Sequence, residues 1–82
     1  MNIKKLYKNF TAAYNFIYDH ENKVPGYYMM IQLFENELKF DEDFQKALDE
    51  FNAYREDFVS SDREMAAFMF AYGDTLTGAD VA

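Results

Sequence analysis

The chain has 82 residues, which allows one small domain, and half of these residues are apolar, which excludes a disordered acidic tail. The absence of cysteine excludes disulfides and thiolate metal sites. A net charge of −7 disfavours nucleic acid and anionic membranes as partners and favours a basic protein surface.

The charge is distributed unevenly along the chain. Residues 1–24 carry four lysines and two acids, a net of +2, whereas residues 25–82 carry thirteen acids and four basic residues, a net of −9. This asymmetry places the acidic surface, and with it the expected contact with a basic partner, in the second part of the chain.

The sequence gives no sign of targeting to a membrane or for secretion. The lysines near the N-terminus are not followed by an uninterrupted apolar segment, and no window approaches the roughly 18 apolar residues of a membrane span. We therefore expect a cytoplasmic protein. Asn9, Phe10 and Thr11 match a glycosylation sequon, which we interpret as a chance match because no secretory signal precedes it.

The first two predicted helices follow from the spacing of apolar residues. The first runs from about Ile3 to about Asp19, because apolar residues recur at gaps of four and three: Ile3, Tyr7, Phe10, Tyr14 and Ile17. A polar loop follows over residues 20–23. Pro25 suits the first turn of the second helix, where its missing N–H has no cost. The residues of that helix that are predicted to face the core are Tyr27 or Tyr28, Ile31, Phe34 and Leu38.

Capping residues mark the next two helices. Asp41 is predicted to cap a third helix that ends near Val59, and the acids after it suit the positive end of the helix dipole. Ser61 and Glu64 have the spacing of a capping box for a fourth helix, which Gly73 is expected to end. The predicted fold is all-α, a compact bundle of three to four short helices, with one helical domain over 1–73 and a flexible tail over 74–82.

The residues predict neither an enzyme nor a cofactor. The lone His20 lies in a predicted loop without a paired serine, and we find no set of acid, base and nucleophile. Asp41, Glu42 and Asp43 lack the alternating acids and glycine of a calcium loop, so we interpret them as a helix cap and predict no metal site. Three lysines in the first ten residues are too few for a nucleic-acid-binding stripe.

Acidic pairs recur at seven-residue intervals in the third predicted helix: Glu42 and Asp43, Asp49 and Glu50, Glu56 and Asp57. Seven residues drift by only about 20° around a helix, so the pairs are predicted to lie in line opposite the apolar stripe. One interpretation is a solvated face, which Lys46 favours because it can pair with Glu42 or Glu50. The other is a binding surface that imitates nucleic-acid phosphates.

Charge density limits the mimicry hypothesis. The six acids less Lys46 supply a net of five charges. Duplex DNA carries about 13 charges over the same length of about 22 Å. Mimicry would therefore need other acids of the chain or a second subunit.

The second predicted helix begins with an apolar cluster formed by Tyr27, Tyr28, Met29 and Met30. These bulky residues cannot all face one small core. One interpretation is an exposed apolar patch that anchors a partner, because tyrosine and methionine are enriched at interfaces. The alternative is that neighbouring helices cover both faces of the second helix.

The cluster belongs to a longer segment, Val24-Pro25-Gly26-Tyr27-Tyr28-Met29-Met30-Ile31. This segment resembles a Val-Pro-x-Tyr-Tyr-x-x-Ile segment of the Ocr-type antirestriction proteins of bacteriophages, and residues 38–43 are loosely similar to the acidic stretch that follows it there. Those proteins, and the ArdA proteins of mobile elements, are acidic DNA mimics that occupy the DNA site of restriction enzymes. The resemblance covers about 20 of the 82 residues and implies that Tyr27 and Tyr28 lie where that family packs its core.

The leading functional hypothesis is a small acidic inhibitor encoded by a phage or mobile element. It would occupy a basic, nucleic-acid-binding surface of a host defence protein such as a restriction or CRISPR nuclease. The six acids would steer the encounter, and the cluster from Tyr27 to Met30 would anchor it. One alternative is a self-associating structural or regulatory protein whose homodimer buries the apolar excess. Another is an antitoxin or immunity protein.

Overall fold

A computed structural model describes residues 1–20 and 27–78 of the chain. The described residues form four α-helices, and a 3₁₀ turn (Leu38–Phe40) joins the second to the third. The helices are α1 (Ile3–His20), α2 (Tyr27–Asn36), α3 (Glu42–Arg55) and α4 (Asp62–Thr77). The predicted all-α bundle is confirmed. The predicted start of the second helix at Pro25 lies outside the described residues.

The helices α1 and α4 pack antiparallel and have the most extensive contacts of any two helices of the bundle. At one end Lys5 Nζ donates to the carbonyl oxygen of Gly78 (2.7 Å). At the other end the Arg63 guanidinium lies 4.9 Å from the centre of the Tyr18 ring. Small buried side chains allow the two helices to approach closely: Ala13 of α1 and Ala66, Ala67 and Ala71 of α4.

Aromatic rings connect all four helices in the core. The ring of Phe51 on α3 lies 4.8 Å from Phe10 of α1 and 5.2 Å from Phe68 of α4. Two turns nearer the start of α3, Phe44 lies 5.3 Å from Phe68 and 6.0 Å from Phe34 of α2. These centre-to-centre distances are those of favourable aromatic pairs. Because Phe44, Phe51 and Phe68 are fully buried, they form the centre of the core.

Both predicted helix caps are confirmed. The carboxylate of Asp41 accepts from the backbone N–H of Phe44 (2.9 Å), and the hydroxyl oxygen of Ser61 accepts from that of Glu64 (3.0 Å). The Glu64 carboxylate in turn accepts from the backbone N–H of Ser60 (3.3 Å), one residue before the cap. These bonds satisfy backbone donors that the first turn of a helix leaves without partners.

The predicted end of the third helix near Val59 is wrong, because α3 ends at Arg55. Glu56 adopts the left-handed conformation (φ 58°, ψ 36°), which stops the helix. The side-chain oxygen of Asn52 then accepts from the backbone N–H of Val59 (3.0 Å) and holds the chain in a turn. Residues beyond Arg55 therefore leave the line of the helix.

The predicted end of the fourth helix at Gly73 is also wrong. The helix α4 continues to Thr77, and Gly78 ends it with a left-handed backbone (φ 82°). A single glycine inside a helix costs only about 1 kcal/mol relative to alanine, which the packing of α4 against α1 can offset. Residues 74–77 thus belong to α4 rather than to a tail, and residues 79–82 lie outside the described part of the chain.

Asn9 has a structural role that its sequence context does not reveal. Its side chain is only 1 % exposed, and its Nδ2 donates to the hydroxyl oxygen of Thr75 (3.1 Å). That hydroxyl donates onward to the carbonyl oxygen of Ala71 (2.6 Å). Buried polar groups require such partners, so this chain of bonds supports the α1–α4 interface. The folded chain does not present the sequon at Asn9 to solvent.

Candidate partner-binding surfaces

The six acids of the predicted acidic face are all exposed, but they do not form one line. Glu42, Asp43, Asp49 and Glu50 lie on α3, whereas Glu56 and Asp57 lie in the turn that follows it. The prediction of three aligned pairs is therefore wrong for the third pair. The physical reason is the left-handed backbone at Glu56, which ends the helix and redirects the chain.

The turn after α3 forms an acidic groove around an exposed aromatic ring. This exit groove has a volume of about 330 Å³ and is lined by Asp49, Asn52, Ala53, Glu56, Asp57 and Phe58. Phe58 is 74 % exposed, and a carboxylate oxygen of Asp57 accepts from its backbone N–H (2.8 Å). An aromatic face beside carboxylates suits a guanidinium or ammonium group, which can bind both.

A second groove is lined by two of the remaining acids, Asp43 and Glu50. It lies between α3 and the C-terminal half of α4, has a volume of about 450 Å³ and is lined by Met1, Asp43, Lys46, Ala47, Glu50, Tyr72 and Leu76. Its two acids less Lys46 leave a single net negative charge, against three acids and no base in the exit groove. The exit groove is therefore the more strongly acidic of the two.

None of the six acids forms an ion pair within the described residues. Lys46, whose pairing with Glu42 or Glu50 would favour a merely solvated face, likewise has no ion pair in this part of the chain. By contrast, Lys39 pairs with Glu35 (3.1 Å). The negative charge of α3 and its exit turn is thus not compensated within the described structure.

Arg55 lies next to Glu56 and Asp57 in the sequence, but its side chain does not neutralise their negative charge. The sequence did not predict the role of Arg55. Its side chain is 11 % exposed and points into the core, where Nη1 donates to the Glu64 carboxylate (3.3 Å). The guanidinium carbon lies 5.0 Å from the ring centre of Phe10 and 5.1 Å from that of Phe51. Arg55 follows Phe51 by four residues, so its position on the apolar stripe of α3 was the available signal.

The apolar cluster of the second helix is divided between the surface and the core. Tyr28 and Met29 are 68 % and 73 % exposed, whereas Met30 packs against the core. The side chain of Tyr27 lies outside the described structure. The implied core position of Tyr28 is therefore wrong, because the helix turns Met30, Ile31 and Phe34 inwards instead.

Tyr72, which lines the second groove, makes the stability of the fold depend on pH. Partial burial, and then the Asp41 and Asp43 carboxylates, raise its pKa above the ordinary 10.0. As the pH rises above about 10, the Tyr72 hydroxyl therefore loses its proton in the unfolded chain before it does so in the folded chain. This difference favours the unfolded chain, so the free energy of unfolding falls as the pH rises. In urea denaturation at pH 9 and pH 11, Tyr72→Phe should lose less stability between the two pH values than the native chain. An equal loss would contradict this assignment.

A comparison with family models, curated proteins and solved structures gave no match to the chain. The resemblance to the Ocr and ArdA proteins therefore stays an expectation. Within residues 1–20 and 27–78, no helix combines the length and apolarity needed to cross a bilayer. The same residues contain no group of three or more side chains placed to hold a metal ion.

Proposed function

We propose that this chain is a small acidic inhibitor that binds a basic, nucleic-acid-binding surface of another protein. The exit groove is its principal contact, and the acids on α3 assist by electrostatic steering. The observation that supports this proposal most is that three carboxylates with no ion pair among the described residues line one groove with the exposed ring of Phe58. The resemblance to the Ocr-type proteins makes a restriction or CRISPR nuclease the class of partner that we propose to test.

The exposure of Phe58 supports a role as the anchor of the interface. An exposed aromatic ring contributes little to the core, but it can bury a large apolar area when a partner covers it. Flanking carboxylates add attraction for lysine and arginine and accelerate the encounter. The aromatic ring and the carboxylates together can bind an arginine side chain, which stacks on aromatic rings and forms bidentate hydrogen bonds with carboxylates.

The backbone at Glu56 adds a second argument. A left-handed conformation favours glycine, yet the chain carries a carboxylate there and places it in the exit groove. Residues held in such conformations cluster at functional sites, where the surrounding structure holds them in place. Function as a contact residue would account for a glutamate at this position.

Charge density favours local recognition over imitation of a whole duplex. The 14 residues of α3 span about 21 Å, over which duplex DNA carries about 12 charges. The four acids on the helix less Lys46 supply three. The proposed contact is therefore with a few closely spaced basic side chains of a nucleic-acid-binding surface rather than with its full length.

The test is a DNA-cleavage assay with purified restriction and CRISPR nucleases. The variant Asp49→Asn/Glu56→Gln/Asp57→Asn removes the three negative charges that line the exit groove and changes the net charge of the chain from −7 to −4. Each of the three carboxylates can form an exposed ion pair with the partner that is worth up to about 1 kcal/mol. We therefore expect their loss to weaken inhibition about tenfold or more. Phe58→Ala should weaken it similarly by removing the anchor.

A matched control separates the groove from general charge. Asp19→Asn/Glu37→Gln/Asp62→Asn neutralises three exposed acids outside the exit groove and also leaves a net charge of −4. This variant should inhibit almost as well as the native chain. If it loses as much inhibition as the groove variant, the exit groove is not the contact. If the native chain inhibits no nuclease of the panel, that class of partner is wrong.

A further inference from the structure

The helix α2 is apolar on two opposite faces. Met30, Ile31 and Phe34 pack against the core, while the opposite side, here called the outer face, consists of Tyr28, Met29, Gln32, Leu33 and Asn36. Met29, Leu33 and Asn36 border an open groove of about 570 Å³. A helix that is apolar on both sides is typically covered on both sides. The outer face thus has the composition of an interface core rather than of a solvated surface.

We propose that two copies of this chain associate through the outer faces of their α2 helices, packed antiparallel across a two-fold axis. This homodimer is independent of the exit groove, because the grooves of the two regions share no lining residue. It leaves both exit grooves of the dimer open to partners.

The polar residues of the outer face favour a second copy over a basic partner. They are Gln32 and Asn36, and both are uncharged amides. Across a two-fold axis a residue near the axis meets its own copy, and an amide both donates and accepts, so it can pair with itself. Two carboxylates or two ammonium groups would repel each other there. The groove beside the outer face is lined by one carboxylate, that of Glu37, against three in the exit groove, so it suits a basic partner less well.

The position of Gln32 defines the arrangement. It lies midway between Tyr28 and Asn36 on the same side of the helix, four residues from each. A two-fold axis that crosses α2 near Gln32 therefore pairs this amide with its copy and brings Tyr28 near Asn36 of the second copy. The flanking charges do not prevent this approach, because Glu35 is paired with Lys39. Glu37 lies five residues after Gln32, so an axis near Gln32 places its two copies on opposite sides of the axis.

Sedimentation equilibrium of the native chain between about 5 and 200 µM is the first measurement. A helix of 10 residues is about 15 Å long, which is small for an interface, so we expect a dissociation constant in the micromolar range. Met29→Glu places like charges in the interface and should raise that constant more than about tenfold. Leu76→Glu, which adds the same charge at an exposed apolar residue of α4, should leave it unchanged.

A crosslinking experiment tests the geometry. Because the chain has no cysteine, Gln32→Cys introduces a single thiol near the proposed axis, and mild oxidation should yield a disulfide-linked dimer. Leu76→Cys should not crosslink at the same concentration. Circular dichroism of each variant checks that the helices remain folded.

Each failure has a distinct meaning. A native chain that is monomeric at 200 µM would overturn the proposal, and loss of nuclease inhibition by Met29→Glu in such a monomer would assign the outer face to a different partner. A dimer in which Gln32→Cys does not crosslink would overturn the antiparallel arrangement. The exit-groove variant should remain dimeric, so a failed inhibition assay and a failed dimer assay are distinguishable.

Discussion

Replacing Phe51 by alanine is expected to lower the free energy of unfolding by about 3–5 kcal/mol. Phe51 is fully buried and contacts Phe10 of α1 and Phe68 of α4, so its loss opens a cavity between three helices. A domain of this length has a total of roughly 4–12 kcal/mol. The variant should therefore lose a large part of the stability of the fold and unfold at a clearly lower urea concentration.

Urea denaturation followed by circular dichroism measures this effect. The matched control is Phe58→Ala, the same substitution at a ring that is mostly exposed, which should change the free energy of unfolding by less than about 0.5 kcal/mol. Comparable losses in the two variants would contradict the placement of Phe51 at the centre of the core.

Removing Glu64 should destabilise the fold by about 2–4 kcal/mol, whereas Arg55→Met should cost little. In Glu64→Ala the buried guanidinium of Arg55 loses its carboxylate, and Ser60 loses an acceptor for its backbone N–H. Nε and Nη2 of Arg55 already have no hydrogen-bond partner among the described residues. Methionine in place of Arg55 removes these unsatisfied groups and keeps an apolar contact with the rings of Phe10 and Phe51.

A double-mutant cycle tests this asymmetry. The free energy of unfolding is measured for the native chain, Arg55→Met, Glu64→Ala and the double variant. The double variant should be more stable than Glu64→Ala alone, because it contains no buried unpaired charge. If Arg55→Met is as damaging as Glu64→Ala, the guanidinium stabilises the fold more than its contacts indicate.

The starts of α1, α3 and α4 could be predicted from the sequence because local interactions determine them. The apolar spacing of residues 3–17 defines α1 whatever its neighbours are. Asp41 and Ser61 accept hydrogen bonds from backbone N–H groups three residues later, so their effect does not depend on the rest of the fold. The all-α class followed from these local signals.

Contacts between distant residues decided the features that bear on function. The end of α3 is set by the left-handed backbone at Glu56 and by the bond from the backbone N–H of Val59 to Asn52, while Arg55 reaches Glu64 nine residues on. Apolar spacing along a helix does not predict these contacts, so the sequence predicted an acidic line where the structure has a groove. The two faces of α2 were likewise ambiguous, because both are apolar.

Local sequence specifies the elements of this protein: four amphipathic segments, two capped starts and an excess of negative charge after residue 24. Which side chains those elements expose depends on how the helices pack together. Burial is a property of the assembled bundle, since the antiparallel α1–α4 pair and the aromatic core leave a limited volume for each helix to fill. That limit placed Asn9 and Arg55 inside and left Phe58, Tyr28 and Met29 outside, where a partner or a second copy can reach them.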